Sequence, residues 1–146
     1  MNMQCVEIQT LLPQRPPIVM VDRLVFADEK LAETVLDIRQ DNIFVEDGAL
    51  KAFAIIENMA QTCAAQLGYA DQYIHGYNDV RIGYIGSFKR MKIVDAPKVG
   101  ETVLTRIEVL GEVGDLKLVS AESFVDGRTI ATAELTIALS GERIEA

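Results

Sequence analysis

The chain has 146 residues, of which 49% are hydrophobic and 25% charged, and its 14 basic and 22 acidic residues give a formal net charge of -8. This composition predicts one globular domain over residues 1–146 and excludes an intrinsically disordered chain. The acidic balance argues against nucleic acid and anionic membrane surfaces as partners, because both are bound mainly through clustered lysines and arginines.

The few cysteines and the single histidine limit the chemistry further. Cys5 and Cys63 are far apart, and Cys63 lies in an apolar run where a reduced thiol packs as a small hydrophobe, which indicates a reducing compartment. We see no secretory signal and no segment fit to span a bilayer, so we expect a cytoplasmic protein. There is no metal-ligand spacing and no glycine-rich phosphate loop, so we expect neither a metal nor another cofactor.

The first half of the chain predicts two strands followed by one helix. The strands cover residues 18–26 and 31–38 and are joined by a short turn, and residues 40–48 have loop composition. The helix covers residues 50–68, which lack proline and end at Gly68, a residue suited to a left-handed C-terminal cap. Apolar residues cover most of its circumference, which predicts a buried central helix.

The second half of the chain predicts strands only. They cover residues 80–85, which can continue into 87–94, and then residues 102–110, 116–125 and 129–139. Turn residues separate them, including the pair Asp126-Gly127, which favours a tight hairpin because it accepts positive φ. Consecutive strands with short turns predict an antiparallel sheet, and hence an α+β fold with the sheet wrapped on one long helix.

Glu57 is the unusual residue of the predicted helix, because a carboxylate among apolar neighbours is costly to desolvate unless it is paired or faces a cavity. Burial would place its pKa above the ordinary range, which suits a general acid or base. Gln61, four residues later, lies on the same helical face. The alternatives are a structural ion pair with a basic residue, or a side chain in solvent.

Other polar residues give weaker signals. His75 follows the helix in a loop, where a histidine is usually solvated. Asp22 lies within a predicted strand and is expected to anchor a turn or a backbone amide. Lys89, Arg90 and Lys92 form a basic strand that is either a solvated face or a surface for an acidic partner.

Three segments resemble the β-hydroxyacyl-carrier-protein dehydratases. They are LLPQRPPIVMVDRLV (residues 11–25), ENMAQ (57–61) and IGSFKRMKIVDAPKVGETV (85–103), which are similar to the family patterns LPHRxPFLLVDR, E-x-x-A-Q and F-K-R followed by a proline-glycine turn. The resemblance implies a hotdog fold, in which a curved antiparallel sheet wraps one long central helix and two subunits form a continuous sheet. It also implies an active site at the dimer interface that combines the acidic residue, here Glu57, with a histidine of the other subunit.

The family histidine has no counterpart in this chain. The loop that would carry it reads NIFVEDGALKAFAII (residues 42–56), without histidine or proline, and Gln14 replaces the histidine of the first motif. The chain resembles in this respect a divergent branch found in aryl-polyene pathways, whose members have a shortened loop and can work as paired dehydratase subunits.

These features lead to one function with two alternatives. The first is dehydration of a 3-hydroxyacyl thioester on an acyl carrier protein or on coenzyme A, by a homodimer or by a heterodimer with a related hotdog subunit. In it, Glu57 is the acid/base residue and Gln61 orients it. The alternatives are a thioesterase that uses Glu57 to activate water, and a non-catalytic acyl-binding subunit that completes a partner's site.

The resemblance also suggests residues that bind the substrate and its carrier. Backbone amides at the expected helix start, Gly48, Ala49 and Leu50, would face the thioester oxygen, since helix N-termini suit negative charge. Gly86 and Phe88 of the third motif would line the substrate site. The basic Lys89, Arg90 and Lys92 would contact the acidic carrier protein.

Overall fold

The computed structural model describes residues 11–12, 18–77 and 79–145, and the side chains of these residues except 79–82 and 140–145. Cys5 and Gln14 therefore lie outside the described residues. The elements, in chain order, are β1 (Arg23–Ala27), β2 (Leu31–Asp37), β3 (Val45–Glu46), β4 (Ala49–Leu50), α1 (Ala52–Tyr69), a π-helical turn (Ala70–Ile74), β5 (Asp79–Ile93), β6 (Thr102–Val113), β7 (Leu116–Val125) and β8 (Arg128–Glu145).

Six strands form one sheet in the order β1-β2-β6-β7-β8-β5, and every neighbouring pair is antiparallel. Register shifts in four of the five pairs mark β-bulges, which bend strands and increase their twist, so the sheet can wrap around α1. One face of the sheet packs on the helix. The predicted α+β hotdog arrangement is confirmed.

The hydrophobic core lies between the sheet and α1, and alternate residues of the strands contribute to it. In β7 the inward side chains include Val119, Ala121 and Val125, which are buried, while the outward ones are more open. Ile55 and Met59 of α1 pack against them, and each such side chain contributes about 1.5–3 kcal/mol when fully buried. The period-two pattern of the strands thus sets which face receives the helix.

The helix ends differently from the prediction. Gly68 lies inside α1 and is buried, and the first glycine with positive φ after the helix is Gly76, at 75°. A Cβ at position 68 would overlap the carbonyl oxygen of Leu11. The left-handed cap at Gly68 is therefore wrong, because this glycine serves a close approach between the helix and another segment.

The loop predicted at residues 40–48 contains part of a hairpin. β3 and β4 are joined by Asp47 and Gly48, whose φ angles of 54° and 78° suit a type I′ turn. The helix accordingly begins at Ala52, after the hairpin. The equivalent hairpin at Asp126-Gly127, with φ angles of 49° and 80°, is confirmed.

The first predicted strand is shorter than expected. Residues 18–22 precede β1 because side chains of α1 take the hydrogen bonds of Met20 that a neighbouring strand would otherwise take. The prediction for Asp22 is confirmed, since its Oδ2 accepts a hydrogen bond from the Asp37 backbone amide at 2.7 Å.

α1 is less enclosed than the sequence predicts. One stripe, formed by Phe53, Glu57, Ala60 and Ala64 and called here the open stripe, is half-buried or exposed, and Phe53 is 55% exposed. The expectation of burial on nearly all sides is therefore wrong for this stripe. It leaves one side of the helix accessible along about three turns.

Candidate active site

Glu57 lies in the second turn of α1 with its side chain half-buried. Its Oε2 atom accepts a hydrogen bond from Nε2 of Gln61 at 3.2 Å, as the spacing of four residues predicts. Among the described side chains, no lysine, arginine or histidine forms an ion pair with Glu57. The alternative of a structural ion pair therefore finds no support in the described part of the chain.

The amide of Gln61 is held in one orientation. Its Oε1 accepts a hydrogen bond from the Met20 backbone amide at 2.6 Å, and its Nε2 donates to the Ile18 carbonyl oxygen at 2.9 Å. A flipped amide would place acceptor against acceptor at Ile18 and donor against donor at Met20. Gln61 therefore presents only an N–H donor to Glu57, and its own side chain is completely buried.

Asn58 fixes the same backbone segment from the other side. Its Nδ2 donates to the Met20 carbonyl oxygen at 2.7 Å, so both polar groups of the Met20 backbone are bonded to side chains of α1. Its Oδ1 accepts from Thr105 Oγ1, and Thr105 in turn accepts from Ser123 at 2.7 Å. This buried network ties the helix register to β6 and β7, and each bond contributes about 1 kcal/mol.

The peptide groups expected to bind the thioester lie in the β3–β4 hairpin, with Gly48 in its turn and Ala49 and Leu50 in β4. The Leu50 amide donates to the Pro97 carbonyl oxygen at 2.8 Å, and Gly48 accepts at its own carbonyl from the Val99 amide at 2.9 Å. The role expected for the Leu50 amide is therefore corrected, because its hydrogen is already engaged. Gly48 and Ala49 precede the helix by three residues or more, so the sequence placed the helix start too early.

The amides that occupy the true start of the helix are those of Ala52 and Phe53. Lys51 is the N-cap residue and no side chain caps this end. Since four residues span about 6 Å of helix, these amides lie about one turn from Glu57. They are the backbone donors nearest to the carboxylate along α1.

The remaining substrate residues expected from the third motif lie on β5. Gly86 is exposed at a bulge, where the register with β8 shifts. Phe88 points inward and packs against the core. Neither lines the cavity beneath α1, whereas Gly83 and Ile85 of the same strand do.

The basic residues of β5 face the outer side of the sheet. Lys89 and Lys92 are exposed and lie opposite Glu134 and Thr132 of β8. Arg90 has a positive φ of 52° at the bulge between them, and its guanidinium lies 3.0 Å from Glu134. The bulge thus brings three cations close together on one surface.

His75 lies beyond the C-terminal end of α1. Its ring is exposed and 6.2 Å from that of Tyr77, measured between centroids. The helix from Glu57 to Tyr69 alone is about 18 Å long, so His75 is remote from Glu57 in the same subunit. The prediction that His75 is a solvated histidine beyond the helix is confirmed by its exposed ring.

A small cavity, called here the inner cavity, lies between α1 and the sheet. Its walls include Ala60 and Ala64 of the open stripe, Cys63, Gly83, Lys117 and Gln66, with apolar side chains elsewhere. Burial raises the pKa of the Cys63 thiol to about 12, so this cysteine stays protonated and packs as a small hydrophobe, as predicted.

Sequence reasoning missed Lys117. Lys117 is nearly buried because it occupies an inward position of β7, two residues before Val119 and four before Ala121. The alternation of that strand was the available signal: it places a lysine on the apolar face of the sheet. Lys117 is therefore a nearly buried cation on the helix-facing side of the sheet, separate from Glu57.

Comparison with known protein families identifies the family of this chain. A sequence model of the ApeP-like family, described as ApeP dehydratase, matches residues 6–143. The chain belongs to the ApeP-like dehydratase family. As an ApeP-like protein it is a dehydratase-like hotdog protein, which confirms the family suggested by its three motifs.

Relatives of this ApeP-like chain are found among curated proteins and solved structures. It is 27% identical over 139 residues to the 3-hydroxyacyl-[acyl-carrier-protein] dehydratase FabZ of Campylobacter fetus, an alignment that covers 89% of this chain and 93% of the relative. It shares its fold with the dehydratase heterocomplex ApeI:P from Xenorhabdus doucetiae, with a TM-score of 0.85, 17% identity and coverage of 94% and 93%.

Other kinds of protein share the same fold. A hypothetical thioesterase protein with coenzyme A from Streptococcus pneumoniae superposes with a TM-score of 0.66 at 10% identity, covering 84% of this chain and 88% of that one. In the ApeP-like chain, none of the described helices combines the length and the apolar character needed to cross a membrane. Its described histidine, cysteine, aspartate and glutamate side chains form no group of three or more that could hold a metal ion.

Proposed function

We propose that this chain is a subunit of a 3-hydroxyacyl-thioester dehydratase and that Glu57 is its acid/base residue. The orientation of Glu57 by a Gln61 amide that cannot flip is the observation that carries the proposal. The ApeP-like family and the similarity to FabZ support the reaction class.

The reaction requires two proton transfers. The Glu57 carboxylate takes the proton on the carbon next to the thioester carbonyl, which leaves an enolate. A proton then goes to the 3-hydroxyl group, which departs as water while the carbon–carbon double bond forms. The Ala52 and Phe53 amides at the helix start are suited to stabilise the enolate oxygen.

A single carboxylate can serve these two transfers only in turn, and the described part of this subunit places no histidine near it. We therefore assign the second group to a related hotdog subunit that carries the family histidine. The fold shared with a dehydratase heterocomplex supports such a pairing. The open stripe of α1, which includes Glu57, is then the side of the helix that meets the partner.

In this proposal the substrate arrives on an acyl carrier protein in the cytoplasm. Lys89, Arg90 and Lys92 form the basic surface that such an acidic carrier would contact, with the cations concentrated by the β5 bulge. Cys63 is free and buried, which fits a reducing compartment.

The test is mass spectrometry of a 3-hydroxyacyl carrier protein incubated with the purified protein, alone and with a histidine-containing hotdog subunit. We expect loss of water in the mixture and its abolition by Glu57→Gln. Glu108→Gln, which changes an exposed glutamate on the outer face of β6, is the matched control and should retain activity.

Other outcomes separate the alternatives. Full dehydration by Glu57→Gln would overturn the assignment of Glu57. Release of the acyl group in place of water would identify a thioesterase, a function suggested by the carboxylate standing without a histidine. An unchanged thioester in every mixture, together with binding of the carrier, would identify a non-catalytic acyl-binding subunit.

A further inference from the structure

The inner cavity begins about one helical turn from Glu57. Ala60, three residues after Glu57 on the open stripe, and Ala64 both line it. The cavity volume is about 30 Å³, which is sufficient for a water molecule or for a small terminal group of a chain. The far wall at Leu67 lies about 15 Å from Glu57 along the helix axis.

Lys117 is the one charged side chain among the described walls of this cavity. Its side chain is only 11% exposed, and within the described part of the chain its ammonium has a single ion-pair partner, Glu112, at 3.4 Å. The Glu112 side chain is itself 57% exposed. An ammonium group carries three donors, so this nearly buried cation is left with hydrogen-bonding capacity to spare.

Gln66 supplies an acceptor in the same wall. It is only 2% exposed, and its Nε2 donates to the Asp28 carbonyl oxygen at 2.9 Å, which fixes the orientation of the amide. No described residue donates a hydrogen bond to its Oε1. A buried acceptor without a donor is uncommon in folded proteins and indicates a missing partner.

Small residues form part of the cavity wall between Glu57 and these two groups. Ala60 and Ala64 present only methyl groups along the open stripe, and Gly83 of β5 stands opposite. A Cβ at position 83 would lie 3.0 Å from Cγ2 of Ile137, so the lack of a side chain keeps this wall open. A flexible chain held at Glu57 can therefore extend along the helix toward Lys117.

We propose that the inner cavity binds the far end of the acyl chain and that Lys117 and Gln66 select chains that end in a hydroxyl group. This inference rests on the proposed function, because it assumes an acyl thioester at Glu57. A terminal hydroxyl accepts a hydrogen bond from the Lys117 ammonium and donates one to Gln66 Oε1. A terminal methyl group leaves both unsatisfied and displaces any water that could serve them.

The test is isothermal titration calorimetry of the full chain with two stable thioether analogues of acyl pantetheine. Both have chains that span about 15 Å, and one ends in a methyl group, the other in a hydroxyl. We expect the hydroxyl-ended analogue to bind about tenfold more tightly. Lys117→Met, of similar length but uncharged, should abolish this preference, whereas Lys98→Met, at an exposed lysine, should keep it.

The outcomes distinguish the two levels of the proposal. Equal affinity of the unaltered chain for the two analogues overturns the hydroxyl-selective site and leaves the proposed function standing, whatever the stability of the Lys117→Met variant. Binding of neither analogue, by the chain alone or by its mixture with the histidine-containing subunit, overturns both. Retention of the preference by a folded Lys117→Met variant shows that another group reads the chain end and overturns the role of Lys117.

Discussion

The side-chain amide of Gln61 makes three hydrogen bonds, and only one of them is to Glu57. The other two hold the backbone of residues 18–20 against α1. Because the same amide orients the candidate acid/base residue and closes the N-terminal segment over the helix, substitutions at this position should affect both.

Gln61→Glu keeps an acceptor for the Met20 amide but removes the donor to Ile18 and puts a second carboxyl beside Glu57. We expect the free energy of unfolding to fall by about 2–4 kcal/mol at pH 7. Burial and the like charge raise the pKa of the new carboxyl in the folded state, so its penalty is small near pH 4 and grows as the pH rises. Urea unfolding at both pH values measures this.

Gln40→Glu, at an exposed turn residue, is the control for added charge and should change stability by less than about 0.5 kcal/mol. A Gln61→Glu variant equally destabilised at pH 4 and pH 7 would contradict the burial of this side chain beside Glu57.

Cys63 should make the free energy of unfolding depend on pH in a second range. Its pKa is raised by burial to about 12 from an ordinary value of 9.0, so the unfolded state loses this proton first. The contribution of this thiol to the free energy of unfolding is fully present below pH 9 and is lost as the pH rises from 9 toward 12. We expect unaltered protein to lose about 1 kcal/mol more than Cys63→Val between pH 8 and pH 10, by urea unfolding.

Both proteins in that comparison contain the same lysines, tyrosines and Cys5, so their difference reports on Cys63 alone. Parallel stability curves for the two proteins over this pH range would show that the thiol is accessible to water in the folded state.

At the scale of elements, α1 is held by side chains that a helical wheel would class as polar. Asn58, Gln61 and Thr62 are all buried, and they bond to the 18–20 segment or to neighbouring strands. This polar packing fixes the helix register while the open stripe remains accessible.

Substitution of Gly68 tests the close approach of Leu11 to this helix. An alanine is favoured over glycine by about 1 kcal/mol within a helix, but here its Cβ would overlap the Leu11 carbonyl oxygen. We expect Gly68→Ala to lower the melting temperature, with a net cost of about 1–3 kcal/mol. Calorimetry measures both quantities.

The matched control is Gly111→Ala in β6, where an added Cβ meets nothing within 4 Å and φ is not positive. It should be neutral within about 0.5 kcal/mol. A Gly68→Ala variant as stable as this control would show that the 11–12 segment moves away from α1 without cost.

Local sequence patterns predict the helices and strands of this fold better than they predict the contacts between them. The period-two strands and the apolar helix were visible in the sequence, as was the Asp126-Gly127 turn. The same dipeptide at Asp47-Gly48 was overlooked because its two strands have only two residues each and show no alternation. Gly68 was misread because its contact, Leu11, is 57 positions away in the chain.

In the candidate site, too, local features could be predicted from the sequence and long-range contacts could not. Glu57 and its neighbour Gln61 follow from helical spacing, which is local. The bonds of Gln61 to residues 18 and 20, and the joining of Lys117 and Gln66 in one cavity, depend on how α1 docks on the sheet. No local pattern contains that information.

At the scale of the whole molecule, β5 is an edge strand with exposed apolar residues. Tyr84 is 54% exposed, and the other edge of the sheet, β1, has only five residues. A long edge strand with apolar side chains favours pairing with another subunit, and lysine on such an edge discourages it.

We therefore expect the protein to be a dimer and Tyr84→Lys to shift it toward monomer, as measured by light scattering over a range of concentrations. Leu110→Lys, which alters a similarly exposed apolar residue on the inner strand β6, should leave the dimer intact. A monomeric unaltered protein, or equal dissociation of both variants, would contradict pairing through β5.

The position of β8 in the sheet has a consequence for how the chain is made. Among the described strands of the subunit, β5 pairs only with β8, which is synthesised after β6 and β7. Until residues 128–145 emerge, the nascent chain carries a long strand with neither edge paired and a sheet that lacks the strand joining β7 to β5. This interval of synthesis is when the chain is most exposed to aggregation, and a chaperone that delays β5 until β8 appears would raise the yield of folded protein.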